Sequence, residues 1–183
     1  MRQNPERRAA LLDAAIEVLA RKGSRGLTLR AVDAEAGVPT GTASNYFADR
    51  ARLLVQILHR TRERLIPGPA DPAGEALLGQ LLERVRRERS LRIALLELRL
   101  EGIRRPELRA ELAAFQEAEL EADAARHREA GLPGDRQGAL LLHLAMLGLT
   151  VDDLTAPALL EPYPVEGLIE AMVERLLPER PAH

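Results

Sequence analysis

The sequence predicts an all-α fold, and three observations carry that expectation. Alanine, leucine, arginine and glutamate dominate the 183 residues, while aromatic residues make up only 2%; the common types are good helix formers, the scarce ones favour strands. Apolar residues recur at i, i+3 and i+4, the period of an amphipathic helix. Glycine and proline gather at the breaks between these stretches. With 46% apolar and 30% charged residues, the composition is that of a globular chain. Its length suffices for one ordinary domain or two small ones around a sizeable core.

The elements follow in order. A first helix runs from about Pro5 to Lys22, with Leu12, Ala15, Ile16 and Leu19 on one face and Gly23 as its stop. Thr28 is placed to cap a short helix from Leu29 to Ala36, and Gly37 follows where the chain needs a left-handed turn. Thr40 is placed to cap the next helix, about two turns long by its spacing. Asp49 suits the N-terminus of a fourth, whose stripe is Leu54, Ile57, Leu58, Thr61 and Leu65. The stretch Pro67–Gly74 holds three prolines and two glycines and is the clearest boundary. Beyond it the pattern predicts helices at 74–87, 90–104, 107–130, 136–153 and 165–177, separated by Arg105-Pro106, by Gly131–Gly134 and by the proline-bearing segment Thr155–Pro164. The fold expected is therefore all-α with about nine helices: a three-helix N-terminal domain over 1–48, a connecting helix over 49–66, and a helical body over 67–183.

Charge divides the chain unevenly. Residues 1–66 hold 12 basic and 7 acidic side chains, the remaining 117 hold 14 and 21. A basic front on an acidic body is the footprint of a module for phosphate backbones joined to one that is not; ordinary scatter is the bland alternative. Cysteine is absent, which removes disulfides and thiolate metal sites and suits a reducing cytosol. The N-terminus leads straight into a charged amphipathic segment without an apolar signal core, so a cytoplasmic location is expected. The longest apolar run, Gly138–Val151, is 14 residues with His143 inside it. It reads as a buried helix too short to span a bilayer, and no membrane partner is expected.

Enzyme chemistry finds no support in the motifs. His59, His127, His143 and His183 are dispersed, without metal-ligand spacing. A Gly-x-Ser-x-Gly elbow and a phosphate-cradling glycine loop are also missing. No catalysis, cofactor or metal is expected.

The chemistry concentrates in Thr28–Phe47: a short helix, a glycine turn and a second short helix, the helix-turn-helix that sets a recognition helix into the major groove of DNA. Thr40, Thr42, Ser44 and Asn45 are small hydrogen-bonding side chains suited to base edges or phosphates, and Asn45 has the bidentate geometry for adenine. Gly41 permits close backbone approach. Leu29, Val32 and Phe47 are the apolar residues that would hold the two short helices against the first and fourth. The alternative for Thr28 and Thr40 is capping alone, and for Arg50 a solvated surface charge.

Residues 8–58 resemble the DNA-binding domain of TetR-family transcriptional regulators. The resemblance rests on Gly26-Leu27-Thr28-Leu29-Arg30, Ala36-Gly37-Val38, Gly41-Thr42, Tyr46-Phe47-Ala48-Asp49-Arg50 and Leu53-Leu54, preceded by Ala14-Ala15-Ile16 and Arg21-Lys22-Gly23. It implies a DNA-binding set of Thr28, Arg30, Thr40, Gly41, Thr42, Ser44, Asn45, Tyr46 and Arg50: Thr28 and Arg30 match positions that meet the backbone, or for Arg30 sometimes a base, Thr40, Gly41, Thr42 and Asn45 match the face directed into the groove, and Tyr46 and Arg50 match phosphate contacts. Ser44 departs from the family pattern, which often has an aromatic there. The resemblance further implies a homodimeric repressor on a palindromic double-stranded DNA operator, released by a small-molecule effector.

The body is less informative. The helices Leu140–Leu149 and Val165–Leu176 are the dimer candidates, the alternative being that both pack inside one subunit. Leu95, Arg99, Phe115, His143 and Met146 are pocket candidates. Arg99 has an alternative as the partner of Glu97 or Glu101, and His143 as a core or interface residue. With four aromatic residues in the chain, an aliphatic or acidic effector is expected over one held by stacked rings. The competing reading of the whole chain is a helical ligand-binding or scaffold protein that has lost DNA binding.

Overall fold

The structure, a computed structural model, describes residues 4–65, 89–129 and 135–177. These form eight α-helices and one 3₁₀ turn, with no strand among the described residues. The helices are α1 (Pro5–Gly26), α2 (Leu29–Glu35), α3 (Arg50–Leu65), α4 (Arg89–Arg104), α5 (Pro106–Glu129), α6 (Arg136–Thr155), α7 (Pro157–Leu160) and α8 (Val165–Leu176), with the 3₁₀ turn at Ala43–Asn45. The expected breaker Pro67–Gly74 and the helix at 74–87 lie outside the described residues, as does the side chain of Leu65. The chain divides into two compact units, one of residues 1–67 with 88–115, the other of 68–87 with 116–183.

In the first unit α1 is the central element, packing against α2, α3 and α4. Asn4 caps it, its side-chain oxygen accepting from the N–H groups of Glu6 at 2.9 Å and Arg7 at 3.2 Å. Leu12, Ala15, Ile16 and Leu19 are buried as the periodicity requires, and Leu11 and Val18 widen the stripe. The regular helix stops at Gly23, where φ of +63° turns the chain. A side chain there would meet left-handed strain whatever the space around it. The core continues through Leu27, Val32, Phe47, Leu54, Ile57, Leu58, Leu91 and Leu98. Burying each side chain of this size stabilises by about 1.5–3 kcal/mol. Phe115 closes this core, 8% exposed, with the Arg62 guanidinium 5.7 Å from its ring centroid.

Polar ties fix α1 to α3. Arg60 grips Asp13 with two hydrogen bonds, Nε at 2.9 Å and Nη2 at 2.8 Å, and Arg64 adds a third at 3.0 Å. Burial alone would raise the Asp13 carboxyl, but the two guanidiniums outweigh it and hold it below the usual carboxylate range.

In the second unit Asp135 caps α6, accepting from the Gly138 N–H at 2.9 Å. Gly138 allows a close approach: a Cβ there would lie 2.9 Å from Leu177 Cδ2 and 3.1 Å from the Leu176 carbonyl oxygen. Leu142, Leu149, Ile169 and Leu177 form the core of this unit, with Met146 packed against it. One expectation needs correction. The apolar helix over 138–151 is not buried all round: Leu140, Leu141 and Leu144 stand 38%, 42% and 53% exposed. The helix around it, Arg136–Thr155, is 20 residues and by length and composition alone could cross a membrane. Polar and charged residues punctuate it, Gln137 and His143 among the leucines and Asp152 and Asp153 near its end.

Candidate nucleic-acid interface

The two short elements of the motif are built from local rules. Thr28 begins α2 as its cap, Oγ1 accepting from the Ala31 N–H at 3.1 Å. Gly37 ends the turn with φ of +64°, and the Val38 N–H returns to the Asp33 carbonyl at 3.0 Å. Asp49 caps α3 by accepting from the Arg52 N–H at 2.8 Å. Val32 and Phe47 are fully buried and Leu29 half-buried against the same core, so the apolar residues expected to seat the motif do so.

The recognition segment itself differs from a two-turn helix capped by Thr40. Residues 40–42 form a turn and Ala43–Asn45 a single 3₁₀ turn. Gly41 lies at φ of +95°, outside any helix, so its glycine serves the turn. Thr40 caps nothing; the Thr42 hydroxyl instead donates to the Pro39 carbonyl at 2.6 Å and the Ser44 hydroxyl to the Gly41 carbonyl at 2.6 Å. The cap comes from Asp33. Its buried carboxylate accepts the Gly41 N–H at 2.7 Å through Oδ2 and the Ala43 N–H at 2.6 Å through Oδ1. Charge-assisted bonds of this kind, out of water, are the strong ones.

Asp33 was absent from the sequence-derived set, although a signal existed. Leu29, Val32, Asp33 and Ala36 fall at i, i+3, i+4 and i+7, so an aspartate occupies the apolar face of α2. A charge placed there must find donors inside the fold.

The nine residues expected at DNA all lie in the first unit. Thr28, Arg30, Thr40, Gly41, Ser44 and Asn45 are exposed, while Thr42, Tyr46 and Arg50 are half-buried. Tyr46 packs on the core beside Phe47, their rings tilted with centroids 6.4 Å apart. Arg50 is held inward: Nη2 donates to the Ser24 carbonyl at 2.6 Å and to the Ser24 hydroxyl, and Nη1 stands 3.9 Å from Glu101. The Ser24 N–H in turn donates to Glu97 at 3.0 Å. Arg105 bonds Glu101 at 2.8 Å, and that hydrogen bond, ahead of lesser contributions from Ser24 and Arg50, holds the Glu101 carboxyl below its ordinary value despite partial burial.

The pocket candidates are split between the units. Leu95, Arg99 and Phe115 belong to the first, where Leu95 is half-buried against the core and burial lowers the Arg99 pKa. His143 and Met146 belong to the second, both half-buried.

Residues 11–57 match the family described as bacterial regulatory proteins, tetR family, and residues 70–179 match the tetracyclin repressor-like C-terminal domain. The HTH-type transcriptional repressor KstR of Rhodococcus jostii (strain RHA1) is 36% identical over 69 residues, 38% of this chain and 32% of that protein; the match thus spans about a third of the repressor's length. Among solved structures, a TetR-family member from Streptomyces coelicolor A3 is 31% identical, with 95% of this chain and 99% of that one covered and a TM-score of 0.71. The multidrug binding protein EbrR, complexed with ethidium, is 30% identical over 94% of this chain and 99% of that one, with a TM-score of 0.67. Salmonella enterica GusR, 20% identical with a TM-score of 0.76, shares the fold. Two successive family matches, over residues 11–57 and 70–179, with a helix-turn-helix built and exposed as described, make this chain a member of the TetR family of transcriptional regulators.

Proposed function

We propose that the protein is a homodimeric repressor that reads a palindromic operator through residues 40–45 and leaves it when a small effector binds the body. The observation that carries this reading is the exposed polar run Thr40, Ser44 and Asn45, fixed in place by the buried Asp33 carboxylate. A pre-set segment spends little ordering entropy on binding. Asn45 is assigned to base readout and Thr28, Arg30 and Tyr46 to phosphates. Arg50, bonded to Ser24, is assigned to positioning the start of α3 instead of the phosphate contact its place in the pattern implies.

The exposed leucines of α6 supply an unpartnered apolar face for a second copy. In that dimer the recognition segments would stand about 34–36 Å apart, one turn of DNA. EbrR is described with ethidium and with malachite green, both aromatic dyes. In this chain Tyr46 and Phe47 serve the helix-turn-helix, Phe115 is buried beneath Arg62, and Tyr163 stands 57% exposed. We therefore infer an aliphatic or acidic effector. The energy for release is limited to its differential affinity for the two states.

A gel shift against the DNA flanking the protein's own gene tests this. A duplex should be bound by a dimer with affinity falling steeply as salt rises. Arg30→Ala should weaken all sequences alike and lower the salt slope by about 1, whereas Asn45→Ala should change the preferred sequence. Absent or salt-independent binding would sink the repressor reading and leave a helical ligand-binding or scaffold protein.

A further inference from the structure

We propose that an arginine-lined cavity of the first unit is a second ligand site, for a small anion carrying two or more charges on phosphate-type oxygens. The cavity holds about 570 Å³ and is lined by Arg25, Arg50, Glu101, Arg104 and Arg105. Arg25 comes from the end of α1, Arg50 from the start of α3, and the other three from the end of α4 and the residue after it. Four guanidiniums face one carboxylate, a formal excess of three positive charges.

That carboxylate is already committed. Glu101 is bonded by Arg105 at 2.8 Å and lies 3.9 Å from Arg50, while Arg50 also holds Ser24. Arg25 and Arg104 are exposed and make no hydrogen bond or ion pair among the described residues. Their places in the last turns of α1 and α4 suit the partial negative charge of helix ends. Such a half-charge at each end does not balance the cluster, nor does it account for its gathering around one concavity. Like charges held together in a recess favour whatever anion neutralises them.

Shape and charge narrow the ligand. The volume falls in the range of small-molecule sites, and the planar forks of arginine match phosphate oxygens in pairs. A DNA phosphodiester brings one charge at a time along an open backbone; three uncompensated charges in a recess suit a compact polyanion such as a pyrophosphate group. Bound there, it would tie the ends of three helices together, including the one on which Arg50 stands.

The test is calorimetric titration of the full chain with pyrophosphate, at ionic strength held constant with sodium chloride, beside a random-sequence duplex as a separate arm. Saturable binding of one pyrophosphate per chain is expected, accompanied by a rise in unfolding temperature. Arg25→Gln and Arg104→Gln should each weaken it at least about tenfold, the loss of one charge-assisted contact. Without the ligand each should move the unfolding temperature by no more than a surface substitution does, since neither arginine has a side-chain partner to lose and the lost helix-end attraction is opposed by relief of the like-charge crowding; Arg7→Gln, on the exposed start of α1, serves as the control. Non-saturating heats, or saturable binding untouched by both substitutions, would overturn the proposal. So would duplex affinity that falls in both variants while pyrophosphate fails to bind, because the cluster would then be a backbone contact.

Discussion

A carboxylate in the second turn of α2 accepts two backbone N–H groups from a segment eight and ten residues further along. It is buried, so each of those bonds is shielded from competing water. Removing it leaves two inward-facing donors unsatisfied as well as the lost attraction. Asp33→Ala should therefore cost about 3 kcal/mol in urea unfolding, at the upper range for hydrogen bonds to a charged group. It should also weaken operator binding although Asp33 contacts no exposed surface. Asp33→Asn, which keeps one acceptor oxygen but turns a donor on the other N–H, should fall between the two. A loss under about 0.5 kcal/mol, typical of surface substitutions, would mean the segment holds its shape without the carboxylate. Arg50 makes the same point from the other side. Its position in the sequence pattern speaks of phosphate, while its bonds to Ser24 speak of the fold.

At the scale of elements, what depends on neighbours in sequence was legible and what depends on distant donors was not. The stop at Gly23, the Thr28 cap, the Gly37 turn and the Asp49 cap each follow from one residue and its local backbone. The recognition segment is shorter than the two-turn helix its spacing predicts, because its cap comes from another helix and Gly41 sits at a positive φ. The short α7 lies inside the proline-bearing break that the sequence predicts, because Pro157 stands at the first helical position, where a proline loses nothing. The apolar run of α6 gave its helix but not its exposure, since uniform hydrophobicity does not say which face is covered. Gly37 offers a direct check. A Cβ there would meet nothing within 4 Å, so Gly37→Ala should cost only the conformational penalty of a left-handed alanine, about 1–2 kcal/mol. Gly37→Asn should cost less, because asparagine tolerates that region. Equal melting temperatures for all three would contradict the strain argument.

Across the whole molecule, the charge split of the sequence does not follow the structural division: residues 88–115 fold with the basic front, and the basic residues flank the helix-turn-helix, which itself holds Arg30 against Asp33 and Glu35. The tie between α1 and α3 gives the first unit a pH signature. Because Arg60 and Arg64 hold the Asp13 carboxyl below its unfolded value, its contribution is fully present above the ordinary carboxylate range and is lost as pH falls through the lowered folded value. The stability gap between the wild type and Asp13→Asn should be constant above about pH 5 and shrink below about pH 4; a gap that stayed constant down to low pH would show that the triad carries no linkage. The Asp33 clamp has a further meaning at this scale. Since Asp33 grips residues 40–45 by their main chain and from behind, an outward side chain such as Thr40 is not what keeps the segment in place, whereas the Thr42 and Ser44 hydroxyls add local bonds of their own. If residues 40–45 read DNA as proposed, lineages that inherit this arrangement can change the address at Thr40 without relearning how to fold.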